Sequence, residues 1–82
     1  MYQVRVPAGA RLEFESLPLR MQPRVQEVFQ RLARWPNVSG LKPLKGAYRI
    51  RTGDWRVLFT VDEVARRITV FRIANRRDVY DD

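Results

Sequence analysis

Three arginines, Arg49, Arg51 and Arg56, lie within one stretch of alternating polar and apolar residues, Gly46 to Asp62 (GAYRIRTGDWRVLFTVD). At period two, Tyr48 and Ile50 point one way and Arg49 and Arg51 the other. Beyond Gly53-Asp54, Val57, Phe59 and Val61 separate from Arg56 in the same manner. Glycine at the first central position of a two-residue loop suits a type II′ hairpin turn. Such a turn sets Ile50 opposite Val57, Tyr48 opposite Phe59 and Arg51 opposite Arg56. Like charges facing each other across a ladder are destabilising, so a sheet that carries them is expected to face an anion. A guanidinium fork grips phosphate in bidentate fashion and stacks on bases, which points to nucleic acid.

The charge balance of the whole chain agrees. Lys and Arg number 16 against 9 Asp and Glu, for a formal net charge of +7, the electrostatic footprint of a protein with a polyanionic partner. The only lysines, Lys42 and Lys45, stand just before the hairpin. With 82 residues there is room for one domain, residues 1–82, with one modest core. Neither cysteine nor histidine is present, so there is no disulfide framework and no Cys/His metal site, and neither metal nor cofactor is expected. No stretch approaches the ~20 apolar residues of a membrane span. Met1 to Pro7 holds Arg5 but no apolar run that could act as a secretory signal, and a cytoplasmic protein is expected.

The elements that must position the arginines follow from periodicity. Tyr2 to Val6 alternates Tyr2, Val4 and Val6 against Gln3 and Arg5 and predicts a strand ended by Pro7. Ala10, Phe14 and Leu17 predict a short helix over about Gly9 to Leu17, with Arg11, Glu13 and Glu15 outward, broken by Pro18. Met21, Val25, Val28, Phe29, Leu32 and Ala33 form the stripe of a second helix, with Arg24, Glu27, Gln30, Arg31 and Arg34 off it and Pro23 confined to the first turn. Trp35-Pro36-Asn37 ends this helix. Asn37 to Lys45 reads as a loop, with Gly40 and Pro43 opposing regular structure. Asp62 to Arg66 connects to a last strand, Arg67 to Ala74. In that strand Phe71 and Ile73 face the core with Arg72 on the basic side, or Ile68 and Val70 face it instead; the first is preferred. The expected architecture is α+β: an N-terminal strand, a two-helix hairpin, then a three-stranded antiparallel meander, with the helices on one face of a single sheet and the arginines on the other.

LKGAYRIRTGDWRVLFTVD, followed after a short turn by ITVFRIANRRDVY, resembles the RelE/ParE superfamily of toxins from type II toxin-antitoxin systems. The shared pattern is a Leu-Lys-Gly lead-in, a basic strand, a Gly-Asp-aromatic-Arg turn, and a terminal strand leading to Arg-Arg-acid-Val-Tyr. The order of the first strand and the helical hairpin matches as well. The resemblance implies a RelE-like fold and a ribosome-dependent endoribonuclease, an mRNA interferase that inhibits translation and is neutralised by a cognate antitoxin. It assigns the catalytic site to Arg49, Arg51, Arg56, Arg76 or Arg77, and Tyr80. Lys42, Lys45, Trp55 and Arg72 are candidate RNA-binding residues around it.

Arginine stands here where ribosome-dependent relatives have lysine, and Asn75 where many have histidine. Arginine is protonated throughout and stabilises charge without accepting a proton. The expected chemistry is attack of the substrate's 2′-hydroxyl on the adjacent phosphate, leaving a 2′,3′-cyclic phosphate, with the arginines holding the charge that develops. Tyr80 would stack on a base or orient the leaving oxygen, and Trp55 would add a second stacking surface. The partners implied are an acidic, partly disordered antitoxin segment, the ribosome and messenger RNA. Two other readings remain open: a DNA gyrase inhibitor of the same superfamily, and a nucleic-acid-binding module without catalysis.

Overall fold

The computed structural model describes residues 1–78. Five strands form one sheet in the order β1-β5-β4-β3-β2, with β1 Gln3–Arg5, β2 Leu41–Leu44, β3 Ala47–Thr52, β4 Trp55–Asp62 and β5 Arg67–Asn75. Two helices, α1 Ala8–Glu15 and α2 Gln22–Leu32, follow β1 and pack on β5 and β3 respectively. Strands β2 to β5 are an antiparallel meander, and β1 joins β5 in parallel at the edge. A parallel neighbour requires a crossover, and the helical pair with the rest of the meander supplies it. The α+β layer with helices on one face is therefore the fold. Among the described residues no helix is long and apolar enough to cross a membrane.

Both helices form as their apolar spacing dictates. Pro23 sits in the first turn of α2, where the amide it lacks would have had no intrahelical partner. Val25, Val28 and Leu32 are fully buried against Ile50, Val57 and Phe59 of the hairpin. Trp35, beyond the end of α2, packs edge-on against Tyr48 and Phe59 at ring-centroid distances of 4.9 and 5.9 Å. Geometry of this kind adds to the area buried, and it fixes the helix on the face of the hairpin that carries no arginine. Phe14 of α1 meets Phe29 of α2 at 5.8 Å.

Three expectations are corrected. Asn37–Lys45 is not all loop: Leu41–Leu44 pairs with β3, Pro43 lying opposite Tyr48. Proline is tolerated there because β2 is an edge strand with no further neighbour to receive its amide. In β5, neither facing is right alone. A bulge opposite Leu58/Phe59 places Val70 against Phe59 and Arg72 against Leu58, so Phe71 is the extra residue. Ile68, Val70 and Ile73 are all buried, whereas Phe71 is 46% exposed, because a bulge shifts the inward phase by one residue. Finally, Glu13 does not point outward: it is half-buried and its Oε1 accepts the Ile73 amide at 2.8 Å. β1 pairs with β5 only as far as Thr69, so Glu13 satisfies an amide that the short edge strand leaves behind.

Candidate functional site

The hairpin is built as its alternation requires. Ile50 pairs with Val57, Tyr48 with Phe59 and Arg51 with Arg56. Gly53 has φ +61° while Asp54 keeps a negative φ, the combination of a type II′ turn, whose twist matches that of the strands. Every residue on the helix side is thereby matched by one on the open side.

The open side is basic across the sheet. Lys42, Arg49, Leu58 and Arg72 form one row over β2, β3, β4 and β5, and Arg51, Arg56 and Ala74 form the next. The two rows differ in exposure along their length. Arg49 is 6% and Arg56 3% exposed, Lys42 is half-buried, and Arg51 and Arg72 are open to solvent. Neither Arg49, Arg56 nor Lys42 is without a partner. Guanidinium groups removed from water in this way act in a lower effective dielectric, where attraction for a further anion is stronger than at an exposed site. Leu58, between Arg49 and Arg72 in the row, is buried as well.

The segment after β5 is anchored to this hairpin. Arg76–Asp78 form a single 3₁₀ turn. The Arg76 amide donates to the Asp54 carbonyl at 2.8 Å, and its Nε stands 3.8 Å from Asp54 Oδ1. The Arg77 amide donates to Asn75 Oδ1 at 3.2 Å, and Arg72 Nη2 donates to the Asp78 carbonyl at 3.3 Å. Arg76 is thus tied to the turn, while the exposed Arg77 side chain has no ion pair among the described residues.

Of the residues expected at the site, the structure brings Lys42, Arg49, Arg51, Arg56 and Arg72 onto one face, with Arg76 and Arg77 at its turn end. Trp55 is not among them. It shares the phase of Val57 and is half-buried against the core, on the opposite side of the sheet. Lys45 is exposed in the β2–β3 turn, and Tyr80 lies outside the described residues. Arg5 and Arg67, not expected at the site, extend the basic face: Arg5 pairs with Thr69 in the phase of the open side, and Arg67 lies between Gln3 and Asp62. The alternation of Gln3 and Arg5 against Val4 carried that signal for Arg5. Among the described residues no three His, Cys, Asp or Glu side chains come together to hold a metal ion. The face can hold and neutralise a phosphate, and it offers no proton acceptor within its rows.

The model of the ParE toxin of type II toxin-antitoxin systems, parDE, matches residues 10–80. Toxin RelG of Mycobacterium tuberculosis is 33% identical over 84 residues, spanning 96% of this chain and 95% of that protein. A chain in the crystal structure of the toxin-antitoxin complex RelBE2 from the same organism superposes with a TM-score of 0.80 at 30% identity, covering 92% of this chain and 98% of that one. The isolated Escherichia coli RelE toxin has the same fold, with a TM-score of 0.77 at 14% identity over 92% of this chain and 84% of that one.

Proposed function

The chain belongs to the RelE/ParE superfamily of type II toxin-antitoxin toxins, and we propose that it is a ribosome-dependent endoribonuclease that cuts messenger RNA in the cytoplasm. The observation that carries this reading is the pairing of the exposed Arg51 with the buried Arg56, beside the buried Arg49, on the face of the hairpin turned away from the helices. Cations set directly against one another suit an anion seated between them.

In the reaction, the 2′-oxygen of the substrate bonds to the adjacent phosphorus as the bond from phosphorus to the 5′-oxygen breaks, leaving a 2′,3′-cyclic phosphate and a 5′-hydroxyl. Arg49, Arg51 and Arg56 hold the phosphate in line and stabilise the charge on its equatorial oxygens. One preorganised donor of this kind is worth about 3 kcal/mol. Arg77 reaches the same phosphate or its neighbour from the turn end, and Arg76 positions that turn through Asp54. The 2′-hydroxyl gives its proton to solvent water, since a guanidinium does not accept one, and the leaving 5′-oxygen takes one proton from water to become the 5′-hydroxyl. Tyr80 stacks on a base next to the cut or orients the leaving oxygen.

The partner that restrains this activity is a cognate antitoxin. Relatives of this fold occur in toxin-antitoxin complexes, and a face with this density of arginine suits an acidic segment that folds as it binds. Induced expression with and without the neighbouring small gene tests the reading. Growth arrest with new message ends, relieved when the neighbour is co-expressed, is the expected result. Arrest with gyrase-linked DNA breaks and intact messages would replace it with the gyrase-inhibitor reading.

A further inference from the structure

Phe71 is the extra residue of the bulge in β5, and the bulge decides where its ring goes. Val70 is paired with Phe59 on the core side and Arg72 with Leu58 on the open side. Val70 and Ile73 are buried, whereas Phe71 and Arg72 are both exposed, so two consecutive residues share the open side, as happens where a bulge re-aims a side chain. Phe71 is thereby placed between the row of Leu58 and Arg72 and the row of Thr60, Thr69 and Arg5. β1 pairs only as far as Thr69, so no paired strand stands beside Phe71 on its outer side.

Packing does not account for this ring. Phe14, Phe29 and Phe59 belong to the core or lie against it, and each meets another aromatic ring. Among the described residues Phe71 does neither. Of the other large exposed apolar residues, Met1 begins the chain, Leu12 and Leu19 lie in the helical layer and Val64 in the β4–β5 turn. A single exposed apolar residue is ordinary on a protein surface. One that a bulge turns onto a face of cations calls for a ligand with both charge and an apolar plane.

We propose that Phe71 is a stacking platform for a base next to the scissile phosphate, so that the site reads a base beside the phosphate its arginines hold. The inference rests on the proposed function in taking the bound anion to be single-stranded RNA. β5 is two strands from β3, about 10 Å at the spacing of a sheet, which is the reach of a nucleotide from phosphate to base. Splayed bases of single-stranded RNA stack on aromatic rings, and the exposed Arg5 and Arg72 on either side attract the neighbouring phosphates. A protein segment fits less well. One half-exposed ring among cations offers little apolar area to offset the ordering of a chain, whereas a planar base needs only one face of the ring. Trp55, the stacking surface expected from the sequence, packs on the core, and Phe71 takes that role.

The test uses the purified full-length protein and two short fluorescent oligoribonucleotides, one of adenine and one of uracil, with affinity measured by anisotropy over a range of salt concentrations. Wild type is expected to bind the adenine strand more tightly, because the larger base stacks more strongly. Phe71→Ala and Phe71→Leu are expected to weaken adenine binding about tenfold and uracil binding less, with the salt slope and the melting temperature unchanged. Phe71→Tyr keeps the preference. Arg51→Ala, by contrast, lowers the slope of log affinity against log salt by about 1 and leaves the preference in place. Equal affinity of wild type for the two strands, a Phe71→Ala protein that binds both like wild type, or a Phe71→Leu protein as selective as Phe71→Tyr would overturn the proposal. So would a Phe71→Ala protein that keeps its RNA binding and loses only the antitoxin. Mapping message ends with the same proteins separates the two readings. Cleavage whose base preference ignores Phe71 would sink the platform and spare the nuclease; Phe71-dependent adenine binding without cleavage would do the reverse.

Discussion

Along β3 and β4, alternate residues of the same two strands go to faces under opposite constraints. Tyr48, Ile50, Val57 and Phe59 meet α2 and Trp35, where shape and apolar area decide what is allowed. Arg49, Arg51, Arg56 and Leu58 occupy the other face, where Arg51 set against Arg56 opposes stability and the proposed phosphate site supplies a reason for it. The difference separates the stability of the domain from its activity by a single step along the strand. It makes the two faces separately breakable.

The largest expected effect is on the core side. Phe59→Ala removes a fully buried ring at the centre of the packing and is expected to cost ~3–5 kcal/mol, a large share of what a small domain has. Chemical denaturation reads it directly. A cost below about 1 kcal/mol would mean that this face is not the core of the molecule. Next in size is Arg51→Ala, at an exposed position. It is expected to reduce cleavage by about 10²-fold or more, near 3 kcal/mol of transition-state stabilisation, while the melting temperature stays within the range of a neutral surface change. Parallel loss of both would collapse the distinction between the faces.

Gly53→Ala acts on what both faces share. Its φ of +61° disfavours a side chain by about 1–2 kcal/mol, and loss of the turn disturbs both registers, so stability and activity should fall together. Asp54→Ala is the smallest and sharpens the comparison further. The Asp54–Arg76 pair is exposed and 3.8 Å long, so its contribution to stability should be below ~1 kcal/mol. The backbone bond from the Arg76 amide to the Asp54 carbonyl survives the change. A measurable fall in cleavage without a fall in melting temperature would show that Asp54 positions the turn carrying Arg77.

What the sequence disclosed follows the same division. The hairpin register was legible because period two and one glycine determine it locally. The stripe of α2 was legible because six apolar residues repeat it. β2 was hidden by Pro43 and Gly40, since the rule that proline breaks strands lapses at an edge, and nothing local marks a strand as an edge. The facing of β5 was hidden by the bulge at Phe71, since one extra residue reverses the alternation and either reading fits half the strand. Glu13 found its partner 60 residues away at Ile73, a contact that no local pattern encodes. The basic face was predictable as a location. The burial of Arg49 and Arg56 was not, because it depends on what the tertiary structure sets around them.

The most direct test of the arginine face as a clamp on a messenger RNA phosphate is to add the purified protein to translating ribosomes and map the ends of the message. New 5′-hydroxyl ends with matching 2′,3′-cyclic phosphates, abolished by Arg51→Ala in a protein that still melts like the wild type, are the predicted result. Intact messages in the presence of the folded wild-type protein, or cleavage that Arg51→Ala leaves unchanged, would contradict it.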